Sequence, residues 1–370
     1  MKICFLADGS RKGGVFIREW INYFVKKHEL SLVTFNKPSG IDERVDTHYI
    51  PRIETGRLMK ILSLPNFILK FRGLIKKINP DILYAHYVLH YGLAGALSGF
   101  HPFGLSPLGS DIATVPDRSR IFRYATTFAL KKADLIQVQD LLSAERVIEL
   151  GADERKVSVI PWGVDLEKFK TRKVEKEYDV INVNRYNTDT FIKAISIVKN
   201  DIPDIKVLWL GVRGEQHLID LLRRFDVLKN VKLEGFVNNQ DIPNYLSKAR
   251  IFVDGFHPGH DKGGHSYGVA LHEAMACSIP TIVANRQEIY KLKGKNKWYF
   301  GWTFDGNRHE DLADKIISLL ENDGEKKKIS RRNREIVEKK FNFSKNMEKI
   351  ENEMERIVSS YKQKVLANGE

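Results

Sequence analysis

Short apolar runs alternate with amphipathic segments along almost the whole chain, and this alternation restricts the folds that the chain can adopt. Lys2–Ala7 is an apolar run that ends at Asp8-Gly9, and the segment after it, Arg11–Lys27, has apolar residues at helical spacing. Similar pairs recur as far as the strand-like run Pro280–Val283. Strands that alternate with helices predict parallel sheets with helices on both faces, so the predicted fold class is α/β and doubly wound.

One charged and weakly periodic segment, Leu166–Asp179, interrupts this alternation, and we interpret it as a linker. A length of 370 residues suits two domains, residues 1–166 and residues 167–344. The tail, residues 345–370, is heavily charged and has the pattern of an amphipathic helix. Two sheets joined by a short linker form a cleft, and ligands of open α/β sheets bind beyond the carboxyl ends of the strands.

The composition excludes several classes of protein. With 42% hydrophobic and 10% aromatic residues, the chain is neither disordered nor collagen-like nor a coiled coil. No apolar window is long enough to span a bilayer, and Met1 opens directly into a strand, so we expect no signal peptide and a cytoplasmic location. The net charge of +13 favours an anionic partner such as a phosphorylated substrate or an anionic membrane. Zinc-finger spacings and RNP motifs are absent, so we expect no nucleic acid partner.

The segment Arg57–Lys77 raises the question of membrane contact. It mixes Leu, Ile and Phe with several cations, as an interfacial helix does, and Pro65 is expected to break it into two pieces. One interpretation is peripheral docking on anionic lipid at the inner membrane face, with a lipid-linked acceptor. The interpretation that we favour is an ordinary helix, packed on the first sheet, with a solvated basic face.

Three candidate positions follow strand-like segments in the first half of the chain. Gly13 and Gly14 close a turn after the first strand, where the backbone can approach an anion; a plain turn is the alternative. His86 ends a strand-like run, where its imidazole can donate to a sugar hydroxyl or a phosphate, or be satisfied by the backbone. Asp111 follows Gly109-Ser110 and either accepts a hydrogen bond from a substrate hydroxyl or caps the next helix.

The second half contains a denser group of candidates. Arg185 directly follows a core strand, where a guanidinium suits bidentate binding of phosphate; a surface salt bridge is the alternative. A glycine-rich loop ends at Tyr267-Gly268, and the first turn of the next helix offers unpaired N–H groups to a diphosphate. Glu273 on this helix can accept hydrogen bonds from both hydroxyls of a ribose, and its apolar flanks argue against a solvated helix face.

The same glycine-rich loop contains residues of metal-ligating types, namely His257, His260, Asp261 and His265. Their spacing fits no compact metal site, and the chain contains no Asp-x-Asp pair that could hold a divalent cation. We therefore expect neither a metal nor another cofactor. A polar, cationic lid over an anionic sugar nucleotide is the simpler interpretation of the loop.

Longer motifs resemble those of the family 4 retaining glycosyltransferases, which have the GT-B fold. Val159–Phe169 (VIPWGVDLEKF) is close to the family motif I-P-N-G-V-D-x-x-x-F, and Gly268–Pro280 resembles its G-x-x-x-x-E-A-M-A-x-G-x-P segment. Gly235-Phe236-Val237 and Gly109-Ser110-Asp111 also fit. The resemblance runs over nearly the whole chain. It implies two Rossmann-like domains that face a cleft, with the tail helix returning to the first domain.

The resemblance also implies roles for individual residues. His86 and Asp111 match acceptor-side positions near the reacting centre, and Arg185 matches the basic residue on the diphosphate. Glu273 matches the second Glu of the E-x7-E motif, which holds the ribose. The implied catalytic set is His86, Asp111, Arg185 and Glu273. The implied donor-binding set is Gly13, Gly14, Arg185, Val237, His265, Ser266, Tyr267, Gly268, Val269 and Glu273.

Two positions depart from the family pattern, because His265 stands in place of the first Glu of E-x7-E and Thr190 in place of a Lys. The expected function is metal-independent transfer of a sugar, with retention, from a UDP- or GDP-hexose to an acceptor glycan or a lipid-linked acceptor. The two departures motivate an alternative, a non-catalytic paralogue that binds a nucleotide or a glycan. A sugar-nucleotide epimerase of the same architecture is a third option.

Overall fold

The chain forms two compact units in the computed structural model, which describes residues 1–10, 15–51, 57–183, 188–212, 214–254, 268–285 and 301–368. The first unit contains the described residues from Met1 to Pro161 and those from Ser344 onward, and the second contains those between Trp162 and Phe343. The boundary lies at Pro161 and Trp162 rather than at residue 166, because Val164 and Phe169 pack into the core of the second unit.

A parallel sheet of seven strands forms the centre of the first unit. The strands are Lys2–Leu6 (β1), Glu29–Thr34 (β2), Asp46–Tyr49 (β3), Ile82–His86 (β4), Phe103–Ser106 (β5), Leu135–Val138 (β6) and Val157–Val159 (β7). Their order across the sheet is β3-β2-β1-β4-β5-β6-β7. The side chains of β1, β4, β5 and β6 are almost all buried, as strands covered by helices on both faces require.

In the part of this unit that the structure describes, six α-helices connect these strands. They are Val15–Phe24 (α1), Arg57–Ile78 (α2), Leu93–Ser98 (α3), Ser110–Ala113 (α4), Arg120–Lys132 (α5) and Leu141–Glu149 (α6). Local chemistry sets where two of them begin, because the Ser119 hydroxyl accepts from the N–H of Phe122 and the Asp140 carboxylate accepts from the N–H of Ser143.

Helix α2 continues through Pro65, so the expected break is wrong. A proline removes one N–H from the helix ladder, but burial of the following turns compensates for that loss. Phe71, Ile75 and Ile78 are buried, whereas the basic side chains between them are exposed. The part of α2 whose side chains are described therefore matches the interpretation of a packed helix with a solvated basic face.

A second parallel sheet, of six strands, forms the centre of the second unit. The strands are Tyr178–Asn182 (β8), Val207–Leu210 (β9), Val231–Glu234 (β10), Ala249–Asp254 (β11), Thr281–Asn285 (β12) and Trp302–Asp305 (β13). Their order is β10-β9-β8-β11-β12-β13. Within the described residues, the helices of this unit are Thr188–Asp201 (α7), Gln216–Arg224 (α8), Ile242–Ser247 (α9), Val269–Ala276 (α10), His309–Glu321 (α11) and Asp323–Lys340 (α12). Two doubly wound parallel sheets confirm the predicted fold class.

The last helix, Phe343–Asn368 (α13), packs with the first unit although it follows the second in sequence. The Glu351 carboxylate on α13 accepts hydrogen bonds from Lys27 Nζ at 2.8 Å and from the Tyr23 hydroxyl at 2.9 Å, and it lies 2.7 Å from His28 Nε2. These groups fasten α13 to the C-terminal end of α1.

Residues of the I-P-x-G-V-D motif form backbone hydrogen bonds with the segment around Phe341 within the second unit. Val164 N–H donates to the Phe341 carbonyl at 2.7 Å, and Phe343 N–H donates to the Val164 carbonyl at 3.1 Å. Gly163 has a φ of +83°, and a Cβ at this position would lie 2.6 Å from the Phe341 carbonyl oxygen. Only glycine combines this φ with so close an approach of two backbone segments.

Candidate active site

Each sheet has one point at which the strand order reverses, and ligands of such sheets bind beyond the carboxyl ends of the strands there. In the first sheet this point lies between β1 and β4, and in the second it lies between β8 and β11. His86 is the last residue of β4, while Asn182 and Asp254 are the last residues of β8 and β11. All three are buried polar residues, and only His86 is among the site residues predicted from the sequence.

His86 is enclosed by aromatic rings at the end of β4. Its ring centroid lies 4.5 Å from that of Trp20, edge to face, and 5.9 Å from that of Phe5. Burial lowers the pKa of His86 to about 3, so the imidazole is neutral at physiological pH. Its Nε2 atom is buried and has no hydrogen-bond partner within the described part of the chain. An orphaned polar atom of this kind is costly unless another group satisfies it.

Asp111 cross-links the backbone behind His86. Its carboxylate accepts from Val88 N–H at 2.8 Å and from Leu108 N–H at 3.0 Å. Burial raises the pKa of Asp111 to about 6, against the opposite effect of these backbone hydrogen bonds. Val88 opens a π-helical turn, Val88–Gly92, and the intervening Tyr87 has a φ of +78°. Asp111 thus stabilises an unusual turn, a role that the sequence did not suggest; contact with a substrate hydroxyl stays a prediction.

Glu273 lies on α10 and is only 7% exposed, as its apolar flanks predict. Asn239, in the loop between β10 and α9, donates from Nδ2 to Glu273 Oε1 at 3.1 Å. Lys168 Nζ in turn contacts Asn239 Oδ1. The three side chains form one polar chain that fixes the carboxylate. Sequence reasoning missed Asn239 and Lys168, although Asn239 lies in a polar loop after a strand, which is a typical location for binding residues.

Helix α10 begins at Gly268 without a side-chain cap. Gly268 and Val269 are exposed, and a Cβ added to Gly268 would meet no heavy atom of the described residues within 4 Å. The N–H groups of a first helical turn and the positive end of the helix dipole attract anions. Val237 is partly buried and packs against the core cluster that also contains Leu271.

The other predicted site residues lie outside the described residues, so their contacts stay predictions. They are Gly13, Gly14, Arg185, His265, Ser266 and Tyr267. The same holds for His257, His260 and Asp261. Of the two departures, only Thr190 is described, and it lies in the first turn of α7.

One cluster of metal-ligating residue types occurs in the described ranges, formed by His28, Glu351 and Glu355. Because Lys27 already pairs with the Glu351 carboxylate, this cluster is better explained as the ion-pair network that fastens α13. No helix within the described ranges is both long and apolar enough to cross a bilayer.

Comparisons with known proteins agree with the fold. The model of the family "Glycosyl transferase 4-like" matches residues 2–140, and that of "Glycosyl transferases group 1" matches residues 164–336. The first match lies in the first unit and the second match in the second unit.

Relatives and solved structures extend over most of the chain. WcaL of Escherichia coli, whose name assigns it to colanic acid biosynthesis, is 25% identical over 280 residues, which are 69% of this chain and 66% of WcaL. The chain thus spans slightly under two thirds of WcaL. MJ1178, an uncharacterized glycosyltransferase of Methanocaldococcus jannaschii, is 24% identical over 87% of this chain and 88% of its own.

The crystal structure of Anabaena HepE in complex with UDP and glucose superimposes with a TM-score of 0.74 at 18% identity, over 96% of this chain and 100% of HepE. The fold is therefore that of the GT-B class, two Rossmann-like units in one chain. With both family models matched, the chain belongs to the group 1, type 4-like glycosyltransferases. This confirms the resemblance derived from the motifs.

Proposed function

We propose that this glycosyltransferase moves a hexose from a nucleotide diphosphate-sugar to a hydroxyl of an acceptor, with retention of the anomeric configuration. The observation that carries the proposal is the arrangement on α10, where a buried carboxylate, Glu273, lies five residues beyond an uncapped helix start at Gly268. A carboxylate fixed by Asn239 can accept from both hydroxyls of a ribose, while the helix start attracts the diphosphate.

The leaving group explains why the helix start matters for catalysis. Negative charge develops on the diphosphate as the bond between the sugar and its phosphate oxygen breaks. Fixed dipoles aimed at that charge stabilise the transition state more than the ground state. The start of α10 supplies such a dipole, and Arg185 supplies a guanidinium in this proposal on the strength of the motif resemblance alone.

In the first unit, the proposal gives His86 a role in orienting the acceptor. The partnerless Nε2 atom can exchange a hydrogen bond with a sugar hydroxyl. With a pKa of about 3, the imidazole is too weak a base to deprotonate a hydroxyl at neutral pH. His86 therefore positions a substrate hydroxyl and does not act as the general base, and Asp111 supports it through the turn that follows.

The relatives suggest which ligands to test first. HepE was solved with UDP and glucose, and WcaL is named for colanic acid biosynthesis. UDP-hexoses with saccharide acceptors are therefore the first choice, and GDP-hexoses and lipid-linked acceptors form the second arm. An anionic membrane as the place of reaction also belongs to this proposal.

Purified protein incubated with UDP- and GDP-hexoses, with and without an acceptor, tests the proposal. Acceptor-dependent nucleotide release is expected, with a product whose anomeric coupling in NMR matches that of the donor. Glu273→Gln should reduce the donor affinity. His272→Gln changes the neighbouring residue on the same helix and is the comparison variant, whose donor affinity should be retained. A product of inverted configuration would contradict retention.

A binding paralogue remains the second candidate, because Thr190 lies where the family has a Lys. It predicts that a nucleotide diphosphate raises the thermal midpoint while no donor is turned over under any condition. Conversion of the donor alone into another nucleotide sugar would instead indicate an epimerase. The two family models, both of glycosyltransferases, favour transfer over either alternative.

A further inference from the structure

The beginning of α5 presents three large apolar side chains to solvent. Ile121 is 71% exposed, Phe122 is 42% exposed and Tyr124 is 75% exposed. Folded proteins commonly expose single apolar side chains, but three within four consecutive residues form a patch that indicates an interaction. We call residues 118–124 the α5 tip.

Arginines surround these apolar side chains. Arg118 and Arg120 are exposed and have no acidic partner among the described residues. Arg123 is different, because it lies 3.3 Å from both Asp117 and Glu149, which balance its charge. The α5 tip therefore presents two uncompensated positive charges beside an aliphatic and two aromatic side chains. This combination complements a surface with anionic headgroups above an apolar interior.

The remainder of α5 fixes the tip. Thr126, Ala129 and Leu130 are buried against the first unit, and Ser119 caps the first turn. Packing therefore does not require the exposed side chains, since the buried face begins only at the seventh residue of the helix. A rigid apolar projection loses little conformational entropy on binding.

The position of the tip relates it to the proposed acceptor site. In a parallel α/β unit, each connecting helix begins near the carboxyl edge of the sheet, since it follows the strand that ends there. The segment leading to α5 leaves β5 after Ser106, so the tip lies near the same edge as His86. Helix α5 also packs against the π-helical turn Val88–Gly92 that directly follows His86.

We infer that the α5 tip docks on an anionic membrane surface, with Ile121, Phe122 and Tyr124 inserted at the headgroup level and Arg118 and Arg120 paired with lipid phosphates. This assigns membrane contact to α5 rather than to α2, the helix suggested by the sequence. In the part of α2 with described side chains, Leu69, at 67% exposed, is the one large apolar residue so exposed. That the docked membrane presents the acceptor rests on the proposed function; the docking itself does not.

Vesicle co-sedimentation of the full chain, without donor or acceptor, tests the docking. Phosphatidylcholine vesicles with and without phosphatidylglycerol are compared at low and high salt. We expect binding to the anionic vesicles only, weakened by salt. The double variant Ile121→Ser/Tyr124→Ser should reduce the partition constant by about tenfold or more, and Arg118→Gln/Arg120→Gln by about fivefold per arginine. Leu69→Ser is the matched control, and we expect it to bind like the unchanged protein.

Four results would overturn the inference. They are no binding to anionic vesicles, equal binding to neutral vesicles, full binding by the Ile121→Ser/Tyr124→Ser variant, and loss of binding by Leu69→Ser. Sedimentation velocity adds a fifth outcome, because self-association that disappears in the double variant would identify a second copy of the chain as the occupant. Thermal midpoints confirm that each variant is folded. Transfer to a short water-soluble acceptor, measured separately, reports on the proposed function, so either idea can fail alone.

Discussion

The side-chain amide of Asn239 donates a hydrogen bond of 3.1 Å to the carboxylate of Glu273, linking the loop after β10 to helix α10. Lys168 contacts the other end of the same amide. A carboxylate that must accept from two hydroxyls of a ribose benefits from a fixed orientation, because each rotamer excluded in the free protein reduces the entropy lost on binding. Asn239 is therefore a positioning residue for the proposed donor site.

Replacing Asn239 by Ala removes this hydrogen bond and so weakens the orientation of the Glu273 carboxylate. A hydrogen bond to a charged group contributes about 1.5–3 kcal/mol, so we expect the donor or its nucleotide diphosphate to bind about tenfold or more weakly. Titration calorimetry with the nucleotide diphosphate measures the effect. Asn238→Ala, one residue earlier and exposed, is the matched control. Equal affinities of the two variants would contradict the positioning role.

Replacing Gly268 by Ala tests whether the glycine is needed for folding or for binding of the donor. The added Cβ meets no heavy atom of the described structure within 4 Å, so the loss of stability should be limited to the poorer N-cap preference of Ala, about 0.5–1 kcal/mol. A diphosphate bound against this backbone would meet the new methyl group, and donor affinity should fall by about tenfold or more. Gly73→Ala, also unobstructed, is the control and should raise the thermal midpoint slightly. An unchanged donor affinity in Gly268→Ala would contradict the proposal that the diphosphate binds at the start of α10.

The pH dependence of stability should reveal two buried groups that act in opposite directions. His86 has a folded pKa of about 3 against an ordinary 6.5, so the unfolded state binds more protons and stability falls as pH drops through this window. Asp111 has a folded pKa of about 6 against 3.8, so its contribution is present below pH 4 and is lost as pH rises through 6. Between pH 6 and 4 the two effects offset each other.

A variant that lacks one of these two groups should therefore show the pH dependence of stability that the other group causes. As the pH is lowered from 6 to 4, the free energy of unfolding of His86→Asn should rise relative to that of the unchanged protein by up to about 1.4 kcal/mol per pH unit. Over the same range, the free energy of unfolding of Asp111→Asn should fall relative to the unchanged protein at a similar rate. Urea titrations at several pH values measure both. An NMR titration of the His86 imidazole in the unchanged protein should show no protonation down to pH 5, and a midpoint near 6.5 would refute the assignment.

Replacing Gly163 by Ala should damage the second unit severely. The residue has positive φ, and its Cβ would press on the Phe341 carbonyl, so a loss of about 2–4 kcal/mol of unfolding free energy is expected. Gly40→Ala isolates the conformational part, because Gly40 also has positive φ, +68°, but no heavy atom lies within 4 Å of its Cβ position. We expect about 1 kcal/mol there. Denaturant midpoints that fall equally in both variants would show that the close approach at Gly163 is unimportant.

Much of the fold was predictable, because buried strands and amphipathic helices leave strong patterns. The predicted run Lys2–Ala7 forms β1 over Lys2–Leu6, and Pro280–Val283 forms β12 over Thr281–Asn285, so the strand ends shift by one or two residues. The missed elements are those without such a pattern. Asp46–Tyr49 is a polar strand at the edge of its sheet, and Trp302–Asp305 occupies the edge of the other sheet, where packing against one neighbour sets the structure.

The candidate site was predictable only in part. Position after a strand or at a helix start identified His86 and Glu273, because backbone geometry places such residues at the binding edge of a sheet. The partner of each required tertiary information. The contact between Asn239 and Glu273 joins positions 34 residues apart, and that between Asp111 and Val88 joins positions 23 residues apart. The pattern of neighbouring residues in the sequence does not indicate which distant residues form such pairs.

The return of α13 to the first unit determines when that unit can be completed during synthesis. Met347, Ile350 and Met354 are fully buried, and Glu351 binds Tyr23, Lys27 and His28 at the other end of the sequence. A ribosome must therefore translate the whole second unit before the first can close its core. Until then the first unit exposes the apolar surface that α13 covers in the folded protein, and a chaperone could bind there. A chain that ends prematurely near residue 343 lacks α13 and leaves this surface uncovered.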